Sequence, residues 1–203
     1  VNRTEVYEMG ESMDPATMRG VGGGGTDFRP PFKWINRHAT DAKAIIYTPS
    51  ISEKVFRSTD KGRSWNPSEG IPGSAVAPAA DMVNPRKVYA YDSGSGDVLV
   101  SSDGGAEFSR TTALEAKGSP LLRAVPGREG HVWVPLRDAG LARTSDGGRT
   151  FTKVSGVETC EAVGFGAAAP DSSYPAAYLW GRVAGITGIF RSTDGGATWL
   201  RVN

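Results

Sequence analysis

The sequence offers almost no thiol or imidazole chemistry. It holds one cysteine, Cys160, and two histidines, His38 and His131. A single cysteine excludes an intrachain disulfide. Two histidines beside it are too few for a zinc centre of the usual kind, so no metal site and no cofactor is expected. A catalytic thiol needs a basic partner. Cys160 instead lies among Val157, Ala162 and Val163, the setting of a buried strand thiol. Neither sign of charge is in excess: 23 Lys and Arg face 22 Asp and Glu, a net charge of +1. That balance argues against a nucleic-acid partner, as does the lack of a basic run with interleaved aromatics. No apolar run nears the roughly 20 residues of a membrane-spanning helix, so no membrane partner is expected. The first residues do not show the basic-then-apolar pattern of a secretory leader. Helical periodicity is absent from about residue 44 onward.

Turn formers are abundant instead, with 27 Gly and 13 Pro, which suits many turns between short strands. One pattern recurs four times: Ser58-Thr59-Asp60-Lys61-Gly62-Arg63-Ser64-Trp65, Ser101-Ser102-Asp103-Gly104-Gly105-Ala106-Glu107-Phe108, Thr144-Ser145-Asp146-Gly147-Gly148-Arg149-Thr150-Phe151 and Ser192-Thr193-Asp194-Gly195-Gly196-Ala197-Thr198-Trp199. The aspartates sit 43, 43 and 48 residues apart, a period that signals a repeat architecture. Asp bonds backbone N–H groups ahead of it, and Gly takes positive φ without steric cost. Each copy therefore predicts a tight turn between two strands, with the closing aromatic plugging the space beneath. Asp60, Asp103, Asp146 and Asp194 read as scaffold residues, because the turn already uses the carboxylate. Asp81, Asp92, Asp138 and Asp171 fall in loops or at strand ends and read as surface acids.

Between the turns, apolar runs predict strands: Ala44–Tyr47, Lys54–Arg57, Ala75–Ala80, Lys87–Tyr91, Asp97–Val100, Leu121–Val125, His131–Pro135, Gly140–Arg143, Glu161–Phe165, Ala176–Trp180 and Thr187–Arg191. Adding the strand after each turn gives four strands per unit. The fold class is thus all-β, a partial β-propeller of about four four-stranded blades over residues 44–203. Four such units cover only part of a seven-bladed ring and leave sheet faces uncovered, so the expectation is further blades, from the same polypeptide or another chain, or an unusual cap on the arc. Residues 1–43 form an irregular glycine-rich segment outside the repeat.

The four turns resemble the Asp-box, or bacterial neuraminidase repeat, which joins the third and fourth strands of a propeller blade. A narrower resemblance rests on Asn84-Pro85-Arg86-Lys87-Val88-Tyr89-Ala90-Tyr91, on His131–Val134 followed by Ala139–Thr144, and on the closing run Tyr178–Gly196. These are similar to glycoside hydrolase family 74, the xyloglucan-cleaving endoglucanases and their reducing-end-specific relatives. The resemblance implies two seven-bladed propellers around a cleft, and inversion at the anomeric carbon by one aspartate from each lobe. The motif that carries the family's C-terminal-lobe aspartate is absent here, so no catalytic residue is assigned. The polysaccharide partner would be xyloglucan or another β-glucan, and the location secreted or extracellular. The chain is then expected to be inactive alone. An alternative is a non-catalytic Asp-box module that binds protein or glycan.

Sugar sites use flat aromatic faces with polar groups that fix hydroxyls. Trp180 and Arg182, in the segment before Gly188, and Trp133 and Arg137, beside another inter-strand connection, are the expected substrate contacts. Gly22–Phe28 with Arg29-Pro30-Pro31-Phe32 is also similar to the Gly-Gly-Thr loop of von Willebrand factor A-like domains, in which the Thr, here Thr26, helps hold a divalent metal. The matching Asp-x-Ser-x-Ser loop is absent. Residues 1–43 are expected to be a flexible loop that crosses to or packs on the blades, with Trp34 and Ile35 as anchors.

Overall fold

A computed structural model describes residues 45–47, 54–60 and 64–203. Among these, fifteen strands form four antiparallel sheets in chain order. The first sheet holds β1 (Ile45–Tyr47), β2 (Phe56–Ser58) and β3 (Asn66–Pro67). The second holds β4 (Ala79–Ala80), β5 (Val88–Tyr91), β6 (Asp97–Ser101) and β7 (Ser109–Ala113). The third holds β8 (Arg123–Ala124), β9 (Val132–Pro135), β10 (Leu141–Thr144) and β11 (Thr152–Lys153). The fourth holds β12 (Val157–Gly166), β13 (Ala176–Val183), β14 (Ile186–Ser192) and β15 (Leu200–Arg201). Each sheet is a meander in which consecutive strands pair. The architecture is all-β and that of a partial propeller.

The sheets are stacked rather than shared, and one apolar cluster fills each joint. Val55, Val76, Val88, Ala90, Leu99 and Phe108 fill the first joint, with Ile46 packed against them. Tyr89, Tyr91, Val98, Leu122, Val132 and Val134 fill the second. Trp133, Leu141, Cys160, Val163, Leu179 and Phe190 fill the third. Side chains alternate across a strand. Val88 and Ala90 of β5 therefore face the first sheet while Tyr89 and Tyr91 face the third. In β9, Val132 and Val134 face the second sheet while Trp133 faces the fourth. These seven positions and Pro135 are all buried. Strands covered on both faces read as unbroken apolar runs instead of alternating ones.

The expected strands are present but differ in extent: Leu121–Val125 pairs only at Arg123–Ala124, and β13 runs past Trp180 to Val183. The segment at 75–80 pairs only at Ala79–Ala80. β12 runs well past the expected Glu161–Phe165, through Thr159 and Cys160, with two register shifts against β13. Those shifts let Arg137 of the preceding sheet exchange N–H···O bonds with Cys160 in both directions at 2.9 Å, which ties the third sheet to the fourth. Cys160 is buried as expected, and burial pushes its thiol up to about 12.

Candidate functional site

The acidic turns occupy one end of the sheets, and in each four-stranded sheet they link the third strand to the fourth. Their carboxylates are consumed locally. The Asp194 Oδ1 accepts from the Ser192 hydroxyl at 2.8 Å and the Thr198 N–H at 2.9 Å, while Oδ2 accepts from the Thr198 hydroxyl at 2.5 Å. Asp146 repeats this with Thr144 at 2.7 Å, the N–H groups of Arg149 and Thr150 at 3.0 Å, and the Thr150 hydroxyl at 2.6 Å. Asp60 accepts from Ser58, the Ser64 N–H and the Ser64 hydroxyl. Asp103 keeps the Ser101 hydroxyl and two N–H bonds, with Glu107 standing where the other turns have a hydroxyl.

Partial burial alone would raise the Asp146 and Asp194 carboxyls. The bonds from their turns outweigh it. Asp194 is held at about 2, and Asp146 lies well below the usual carboxylate range. The Ser101 hydroxyl and turn N–H groups also lower Asp103. A general acid at neutral pH needs the opposite shift. Beside these turns a groove of about 520 Å³ runs between the second and third sheets, past Arg86, Lys87, Asp103, Glu107, Asp146 and Arg149.

Asp81 is the one buried acid among the described residues, and it too is fully engaged. It accepts from the N–H groups of Val83, Asn84 and Gly130 and from the Tyr89 hydroxyl, at 2.8–2.9 Å. Burial opposes its charge, but these donors leave its pKa lowered. The bond to Gly130 crosses from the second sheet to the third. The sequence predicts a surface acid at Asp81, and burial with four donors makes it a structural one instead. The spacing Asp81–Asn84–Pro85 is the signal of the turn it closes.

The second-to-third-strand hairpins occupy the opposite end. Asp92 caps its own hairpin through the Gly94 N–H at 2.8 Å and the Ser95 hydroxyl at 2.9 Å. Arg137, with φ of 50°, occupies the next hairpin. Its Nε lies 3.9 Å from Glu161, and the Arg182 Nε lies 3.7 Å from Glu158. All four side chains are exposed, so these pairs add little stability. Of the expected sugar contacts, Arg137 and Arg182 thus share this end. Trp180 lies on the outer face of the fourth sheet, 45% exposed. Trp133 is 0% exposed, stacked edge-on against Phe165 and Trp199, with its Nε1 donating to the Tyr174 hydroxyl at 3.2 Å. It presents no face to solvent. Among the described residues no group of three or more His, Cys, Asp or Glu is placed to hold a metal. No helix among them is long and apolar enough to cross a membrane.

No protein-family model matches the chain. It is 42% identical over 189 residues to xyloglucanase Xgh74A of Acetivibrio thermocellus, which covers 89% of this chain and 22% of that protein. A solved glycoside hydrolase family 74 enzyme of Niastella koreensis superposes with a TM-score of 0.76 at 43% identity, covering 80% of this chain and 24% of its own. The family 74 xyloglucanase of Xanthomonas campestris superposes with a TM-score of 0.73 at 33% identity, over 80% and 23%. The chain is a xyloglucanase-like region of glycoside hydrolase family 74. It spans about a fifth of the length of the curated relatives it matches. The matched share of this family 74 region is more than residues 44–203 make up, so the similarity reaches into the first 43 residues. The expected von Willebrand factor A-like likeness at Gly22–Phe32, and the anchors Trp34 and Ile35, lie outside the described residues.

Proposed function

We propose that this chain is the C-terminal portion of a secreted xyloglucan-degrading or β-glucan-degrading hydrolase, inactive alone, whose catalytic carboxylates lie outside the described sheets. The observation that carries the reading is the 42% identity to a xyloglucanase across 89% of the chain. The bound state of the acids supports the second half. Asp60, Asp103, Asp146 and Asp194 serve their own turns, and Asp81 joins two sheets. None of them stands free to protonate a leaving oxygen or to activate water. In this reading Arg137 and Arg182 lie toward the polysaccharide at the hairpin end, where guanidinium groups fix sugar hydroxyls. Hydrolysis then proceeds with inversion, one acid protonating the leaving oxygen while a base activates water across the ring.

The test is the full-length gene product incubated with xyloglucan, with new reducing ends counted and the first-formed anomer read by NMR. Main-chain cleavage giving the inverted anomer is the expected result. A folded gene product that cleaves neither xyloglucan nor any other β-1,4-glucan overturns the proposal.

A further inference from the structure

β12 carries two β-bulges, and each leaves a glutamate as the extra residue. Val157 pairs with Val183 and Thr159 with Arg182, which passes over Glu158. Cys160 pairs with Gly181 and Ala162 with Trp180, which passes over Glu161. A bulge gives up ladder bonds and re-aims the residue that it leaves unpaired. Both glutamates are exposed, and each stands at ion-pair distance from an arginine, Glu158 from Arg182 and Glu161 from Arg137.

The bulged stretch is gripped from both sides. A Cβ on Gly181 would meet the Thr159 carbonyl oxygen at 2.0 Å, and one on Gly140 would meet the Val157 carbonyl oxygen at 2.5 Å. Only glycine lets β13 and the β9–β10 hairpin come that close. Arg137 takes φ of 50°, a strained choice for a long side chain, and its backbone bonds to Cys160 place it beside Glu161. Glu158 ties down the β13–β14 hairpin as well. Its Oε1 accepts from the Gly185 N–H at 2.7 Å, while its Oε2 faces the Arg182 Nε.

In both pairs the glutamate faces Nε, the guanidinium nitrogen nearest the chain. Among the described residues no hydrogen bond takes the terminal nitrogens of Arg137 or Arg182. A guanidinium held by its Nε keeps those N–H groups for a ligand, and one oriented in advance loses less freedom on binding. We propose that Glu158 and Glu161 are positioning residues. From their bulges they hold Arg182 and Arg137 so that the terminal N–H groups donate to hydroxyls of a β-glucan chain. The proposal rests on the reading that the hairpin end faces the polysaccharide. Exposed pairs add little to stability, so the role shows in binding and not in folding.

Steady-state hydrolysis of soluble xyloglucan by the full-length gene product tests it. The variants are Glu158→Gln and Glu161→Gln, alone and in Arg182→Ala and Arg137→Ala backgrounds respectively. Gln keeps an acceptor oxygen for Gly185 and removes the charge. Each glutamate variant should raise KM about threefold, with little change in kcat and none in the thermal midpoint. Each arginine variant should raise KM at least as much, and the added glutamate change should raise it no further. Wild-type KM in a glutamate variant overturns the role of that residue, while cleavage by the parent protein keeps the hydrolase reading standing. A KM rise that persists without the arginine also overturns it, since the glutamate then acts directly. So does a rise that comes with a lowered thermal midpoint, which marks a structural role. A parent protein that cleaves no β-glucan overturns the hydrolase reading and this proposal with it.

Discussion

Asp146 and Asp194 show what the repeated carboxylate does. Each receives two hydroxyls and backbone N–H groups from its own turn, and each is held below the usual carboxylate range. The sign of the linkage follows. A carboxyl whose pKa is lower folded than unfolded contributes stability that is present above the unfolded pKa and lost as pH falls through the folded one. The thermal midpoint, followed by circular dichroism, should stay level from neutral pH to about 5 and then fall toward pH 2 as the turns protonate. Asp146→Asn and Asp194→Asn should each cost about 1 kcal/mol at neutral pH, discounted for their exposure, and should flatten the acid limb. An acid limb unchanged in both variants contradicts the turn role. The repeat of Ser/Thr, Asp and Gly makes this role legible in sequence, because the donors lie within four residues of the acceptor. Asp81 is less legible, since its Gly130 donor is 49 residues away and depends on how sheets stack.

At the scale of the element, the close approach of turn to strand matters most. Gly196 and Gly185 both take positive φ, at 91° and 78°. A Cβ at Gly196 meets the Trp133 ring, whereas one at Gly185 meets nothing within 4 Å. Both alanine variants carry the backbone strain, roughly 1 kcal/mol, but only Gly196→Ala adds the clash, for a total of roughly 3 kcal/mol. Denaturant unfolding of the two variants reads the difference, and equal losses contradict the packed joint. Strands such as β5 and β9 are legible because two covered faces give continuous apolar runs. Trp133 is not legible as core, because its ring is one of many aromatic side chains that suit either a sugar or a neighbouring sheet. Only the stacking order separates Trp133, inside a joint, from Trp180, on the outermost sheet. The length of β12 is hidden for a related reason: its polar Glu158 and Thr159 interrupt the apolar pattern just before Cys160, where it is tied to Arg137.

At the scale of the whole molecule, the described sheets form a stack whose joints repeat and whose last face is still open. The similarity to xyloglucanases covers nearly all of this chain and about a fifth of theirs. The stack supplies a frame with Arg137 and Arg182 at its hairpin end, and its turn and core acids are bonded into the frame itself. The most direct measurement is the release of reducing ends from xyloglucan by the purified, folded 203-residue chain. The account predicts no release above the substrate blank. Sustained release that is abolished by an Asp→Asn change at Asp103, Asp146 or Asp194, with the thermal midpoint unmoved, would contradict it.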